Sequence, residues 1–146
     1  MRSEHLEQLF PELVRDGYAV TSPRSDSYNC YAWAAGDDTR VWFPDGNHQH
    51  YWPIRLRNRR IETYSEAFAT IGYTPCGTDH GLEVGHEKVA IYAIGFLVEH
   101  MARQLSDGTW TSKCGEDEDI VHHTLSSLEG DEYGHVRLIL KRPAKP

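Results

Sequence analysis

The chain has 146 residues, a length that suits one domain able to bury a core without disulfide or metal staples. Its 22 acidic against 15 basic residues give a net charge of −7, which disfavours nucleic acid or an anionic membrane surface as partner. A hydrophobic fraction of 39% with four Trp and eight Tyr excludes a disordered chain. No stretch is apolar enough to span a bilayer, and the acidic start MRSEHLEQLFPEL is unlike a signal peptide, so a soluble, cytoplasmic protein is expected. Three cysteines without paired spacing fit free thiols of a reducing compartment.

In chain order, Leu6, Leu9, Phe10, Leu13 and Val14 have helical spacing, with Pro11 splitting or ending the helix. TSPRSDS reads as a loop feeding a helix from about Tyr28 to Ala35, capped by Asp26 or Ser27 and stopped by Gly36. Cys30 then lies in a first helical turn. The aromatic segment WFPDGNHQHYWP reads as a structured loop, and the following run Arg55, Arg57, Arg59 and Arg60 as a solvated face. Residues 61 to 71 repeat apolar positions at helical period up to Gly72. KVAIYAI, FLVEHMARQL and TWTSKC then read as successive antiparallel strands, DIVHHTLSSL as a helical turn, and YGHVRLILKR as a last strand. No internal repeat or low-complexity tract interrupts this order. The expectation is one α+β domain over residues 1–146, with helices first and the sheet second.

A cysteine acts as nucleophile only as thiolate, and a helix N-terminus favours that charge, so Cys30 is the candidate nucleophile. His100 lies mid-strand; strict alternation groups it with Val98, Ala102 and Gln104 and makes it the candidate base. A two-residue turn at Asp107-Gly108 would oppose Gln104 to Thr111, Ala102 to Lys113 and His100 to Gly115. The acidic run Glu116 to Asp119 would then begin beside His100, with Asp119 as the orienting carboxylate. Trp33 and Trp110 read as core, whereas Trp42 and Trp52 are candidates to wall a substrate groove. His48-x-His50, Cys76-xxx-His80 and His122-His123 lack the spacing of a zinc site, and no glycine-rich phosphate loop occurs, so neither metal nor cofactor is expected.

The segments YNCYAWAAGDD, YWP, GYTPC, EKVAIYA, EHMARQL, GTWTSKCGEDEDIVHHT and YGHVRLILKRP resemble a bacterial family of uncharacterised proteins, over about residues 26 to 143. The order of cysteine on a helix, then histidine on a strand, resembles the papain-like superfamily, in particular compact NlpC/P60-type peptidases and amidases. That resemblance implies a papain-like α+β fold, in which a helix bearing Cys30 packs on an antiparallel sheet bearing His100. It also implies thiol hydrolysis or acyl transfer at an amide, peptide, isopeptide or thioester bond, on a peptide or protein substrate. The third polar position stays open among Asp119, Asp117, Ser112 and His122. The alternative from another class is a non-catalytic protein- or peptide-binding domain with an inert Cys30.

Overall fold

A computed structural model describes residues 2–114 and 117–145. Helix α1 (Glu4–Leu9) begins where Ser3 Oγ accepts from Leu6 N–H at 3.3 Å. Pro11 separates it from α2 (Glu12–Asp16), and Gly17 at φ 97° turns the chain into strand β1 (Tyr18–Ser22). Helix α3 (Cys30–Ala35) ends on Gly36 in the left-handed conformation, as the sequence predicts. Its cap differs from the expected Asp26 or Ser27: Asn29 Oδ1 accepts from Ala32 N–H at 3.1 Å, so Cys30 is the first helical residue. Helix α4 (Ile61–Ala69) follows the apolar period read from the sequence.

The remaining strands are β2 (Thr74–Pro75), β3 (His86–Ile94), β4 (Leu97–Gln104), β5 (Trp110–Lys113), β6 (Asp119–His122) and β7 (His135–Pro143). They join β1 in one seven-stranded sheet of order β1-β6-β5-β4-β3-β7-β2, with every neighbouring pair antiparallel. The fold is therefore α+β. Asp119–His122 is a strand rather than the start of a helical turn, because β5 and β1 satisfy its backbone on both sides. The helical turn shrinks to a short 3-10 turn at Ser126–Leu128.

Both faces of the sheet are covered. On one, α3, α4 and the aromatic segment pack Tyr31, Trp42, Trp52, Tyr64 and Phe68 against Val89, Ile91, Val98 and Met101. On the other, Leu6, Phe10 and Leu13 of α1 and α2 pack with Leu125 and Leu128 against Ala90, Tyr92, Ala102, Trp110 and Ile120. Two irregularities decide which side chain meets which face. In the β3–β4 pair, Tyr92 opposes His100 but Ala93 opposes Val98, so Glu99 is an extra residue. The bulge sends Val98 to the α3 face instead of leaving it beside His100.

The β4–β5 turn has three loop residues rather than two. Leu105 N–H donates to Thr109 C=O at 2.7 Å, and Gly108 takes φ 91°. Gln104 consequently opposes Trp110, and Arg103 opposes Thr111, one residue out of the expected register. A one-residue slip exchanges the faces of every downstream side chain, so Ser112 shares His100's face. Gly115 and Glu116, on which the expected pairing also rested, lie outside the described residues. Before Arg103, β4 leaves β5 and pairs instead with the segment ahead of α4: Val98 N–H donates to Arg59 C=O at 2.8 Å, and Ile61 N–H to Phe96 C=O at 3.3 Å.

Candidate functional site

Cys30 enters the core with the rest of α3. Burial outweighs the nearby backbone amides of Met101 and Tyr31, which favour the thiolate, and pushes the thiol pKa up to about 12. The helix-terminal position alone is therefore not enough to activate this sulfur.

His100 sits on the other face of the sheet. Its ring stacks on Tyr133 with centroids 4.1 Å apart and planes at 4°, and meets Tyr92 edge-on at 5.2 Å. A chain of hydrogen bonds leads away from it. His100 Nε2 lies 3.0 Å from Ser112 Oγ, Ser112 Oγ lies 2.8 Å from His122 Nε2, and His122 Nδ1 lies 2.9 Å from Thr124 C=O. A carbonyl only accepts, so His122 carries its proton on Nδ1 and its Nε2 accepts from the Ser112 hydroxyl. Ser112 Oγ in turn accepts from His100 Nε2–H. This leaves His100 Nδ1 as a buried acceptor with no partner among the described residues. Burial, with the neighbouring His122 adding to it, holds His100 well below the usual imidazole range. Burial likewise lowers His122 to about 4. Both rings are neutral near pH 7.

The structure does not bring Cys30 and His100 together. Cys30 packs with Met101 and Val98, whereas His100 packs on Tyr92 and Tyr133, and no hydrogen bond joins the two among the described residues. Asp119 is on the Cys30 side of the sheet, where its Oδ2 accepts from Ser22 Oγ at 2.8 Å and from the Tyr28 hydroxyl. Its cross-strand neighbour Lys113 lies over the Tyr28 ring, with Nζ donating to Asp117 C=O at 2.6 Å. The Asp117 carboxylate pairs with His5 and Arg24. Of the residues weighed for the third position, Ser112 and His122 are thus the two that join His100, while the carboxylates anchor the approach to α3.

Trp42 is a buried core residue, whereas Trp52, also buried, lines a cleft of about 540 Å³ with His48, Pro53, Ile54, Arg55 and Arg57. Trp42 Nε1 donates to Asp37 Oδ2 at 2.9 Å and Trp52 Nε1 to Leu56 C=O at 3.0 Å, while their rings pack on Phe68 and Tyr64. The Trp42 carbonyl accepts from Asn29 Nδ2 at 2.7 Å, which ties the aromatic segment to the cap of α3. Arg57, Arg59 and Arg60 of the basic run pair with Asp45, Glu99 and Glu62. Among the described residues, no three His, Cys, Asp or Glu side chains converge as a metal site would require.

Two further openings lie around the loop between β2 and β3. Cys76 N–H donates to Ile139 C=O at 2.9 Å, Lys88 Nζ to Asp79 C=O at 3.0 Å, and Gln104 Nε2 to His80 C=O at 3.0 Å, so the loop is held over the end of the sheet. One cleft of about 510 Å³ runs between Leu82, Val84, His86, Glu87, Arg103 and Gln104. A second, of about 700 Å³, runs between Leu82, Gln104, Trp110, His123, Leu125 and Glu129. They share Leu82 and Gln104. Leu82 is 54% and Val84 96% exposed, apolar surface that a folded chain gains nothing by presenting to water. Neither Cys30 nor His100 lines either cleft. Sequence reasoning weighed this loop only for the metal spacing Cys76-xxx-His80; the two apolar residues Leu82 and Val84 between Gly81 and Gly85 were its signal for a binding surface.

The architecture defines a mixed α+β domain whose antiparallel sheet is covered on both faces. The chain belongs to the family DUF7689, a domain of unknown function, which matches residues 19–141. That stretch runs from β1 into β7 and leaves out α1 and α2. No curated protein and no solved structure matches the chain. Among the described residues, no helix is long and apolar enough to cross a membrane.

Proposed function

We propose that this chain is a non-catalytic domain that binds a peptide across the two clefts meeting at Leu82 and Gln104. The observation that carries the reading is the continuity of the two openings, which together suit an extended ligand better than a compact one. Each mixes apolar side chains with polar groups, the combination that gives affinity and orientation at once. Covering an exposed Leu or Val side chain is worth about 1.5–3 kcal/mol when burial is complete. Gln104 Nε2 is committed to His80, while its Oε1 accepts from no group among the described residues and is free to take a peptide N–H.

The test is to pan a random peptide library displayed on phage against the wild type and against Leu82→Glu. Leu82 is exposed, so the variant should fold, which circular dichroism checks. Clones that bind the wild type and lose at least about tenfold in affinity on Leu82→Glu support the reading. No enriched clone, or clones indifferent to Leu82→Glu, contradicts it.

A second reading, thiol hydrolysis or acyl transfer on a papain-like scaffold, is favoured by one observation: Cys30 is the first residue of α3, where the unpaired backbone N–H groups of a helix start would favour a thiolate. This reading requires the thiol to become accessible and to acquire a base, with His100 the residue the family-like order nominates. The reactivity of Cys30 decides between the two.

A further inference from the structure

We infer that the peptide taken by this groove is a basic one, carrying Lys or Arg, and that Glu129 is the carboxylate that selects it; the inference rests on the peptide-binding reading above. Among the residues lining the larger cleft, Glu129 carries the only fixed charge. It also lines a third cleft, of about 420 Å³, so the two openings adjoin at this residue. The charged residues of that third cleft are Glu12, Glu129, Asp131 and Glu132, all carboxylates. Glu12 pairs with Arg15, but Glu129, Asp131 and Glu132 form no ion pair among the described residues.

The fold positions Glu129 for this role. Its Oε2 accepts from Val136 N–H at 2.9 Å, which fixes the carboxylate at the start of β7 and leaves Oε1 to a ligand. Leu9, Phe10 and Pro11 line the same third cleft and give it an apolar wall. Long basic side chains lay their methylene stems on such surfaces while the charged head reaches a carboxylate. An unneutralised acidic rim on a chain of net charge −7 attracts a cation and repels an acidic peptide.

The experiment uses the displayed library again, scored for Lys and Arg content. The strongest clone is then synthesised and its binding measured by fluorescence anisotropy to the wild type, Glu129→Gln, and the triple variant Glu129→Gln, Asp131→Asn, Glu132→Gln. Gln keeps an oxygen for Val136 N–H, so the fold is retained. The expected result is enrichment of basic residues, with affinity weakened about fivefold by Glu129→Gln and about tenfold or more by the triple variant. The loss should shrink as salt rises, because exposed charges are screened. Clones that depend on Leu82 yet show no basic enrichment and bind Glu129→Gln as tightly as the wild type overturn this inference and leave peptide binding intact. The absence of any binding clone overturns both.

Discussion

The two faces of the sheet use polar chemistry in opposite ways. On the α3 face, Cys30 is sealed among Tyr31, Met101 and Val98, and the charged residues nearby, Lys113 and Asp119, are spent on Tyr28, Ser22 and Asp117. On the opposite face, His100, Ser112 and His122 form a neutral hydrogen-bonded chain inside an otherwise apolar layer. On both faces most of these polar groups are hydrogen-bonded, and the buried exceptions include His100 Nδ1 and Asp119 Oδ1. The two clefts that meet at Leu82 and Gln104 open to solvent with neither Cys30 nor His100 in their walls.

The largest expected effect probes the α3 face. Trp52→Ala removes a buried indole packed on Tyr64 and should cost about 3–5 kcal/mol in urea unfolding. A loss below about 1 kcal/mol would mean that the Trp52 ring carries little of the core packing.

Next comes acid, which separates the faces. His122 is lowered to about 4 in the fold against 6.5 unfolded, so the unfolded chain binds the extra proton first. The stability tied to its neutral form is complete above pH 6.5 and is lost as pH falls towards 4, about 3 kcal/mol in all, with His100 adding in the same direction. Cys30, raised from 9.0 to about 12, works the other way: its contribution is complete below pH 9 and is lost as pH rises towards 12. Denaturation followed across pH should therefore show a plateau between roughly 6.5 and 9 that falls on both sides. A stability unchanged from pH 7 to 5 would mean that the histidines are exposed.

Ser112→Ala should be milder. It leaves a donor on His100 and an acceptor on His122 unpaired and should cost about 1–3 kcal/mol in all in equilibrium unfolding. The smallest effect belongs to the open end: Val84→Ser should stay within about 0.5 kcal/mol of wild type in the same assay, because Val84 packs on little.

Local signals in the sequence carried much of the fold. Pro11 divides the first helices, Gly36 stops α3, and Gly95 separates β3 from β4, because each acts on its own backbone. What escaped was set by distant partners. Strand β1 exists because Tyr18 to Ser22 pairs with His122 to Asp119, far along the chain. The third loop residue before Gly108 and the extra Glu99 each reverse a face, and neither is marked by an unusual residue. The turn shift, with Asp119–His122 paired as a strand, put Ser112 and His122 rather than Asp119 beside His100. The clefts escaped for a related reason: their walls come from loops brought together only by the finished sheet.

The most direct measurement is the rate of Cys30 alkylation by iodoacetamide across pH, in the folded wild type and in His100→Ala, with the modified peptide identified by mass spectrometry. A sulfur buried on the face opposite His100 should react no faster than each protein unfolds, and removal of His100 should not change its pH profile beyond the effect on stability. Rapid modification near pH 6 that His100→Ala abolishes would contradict the account and establish a catalytic pair across the sheet.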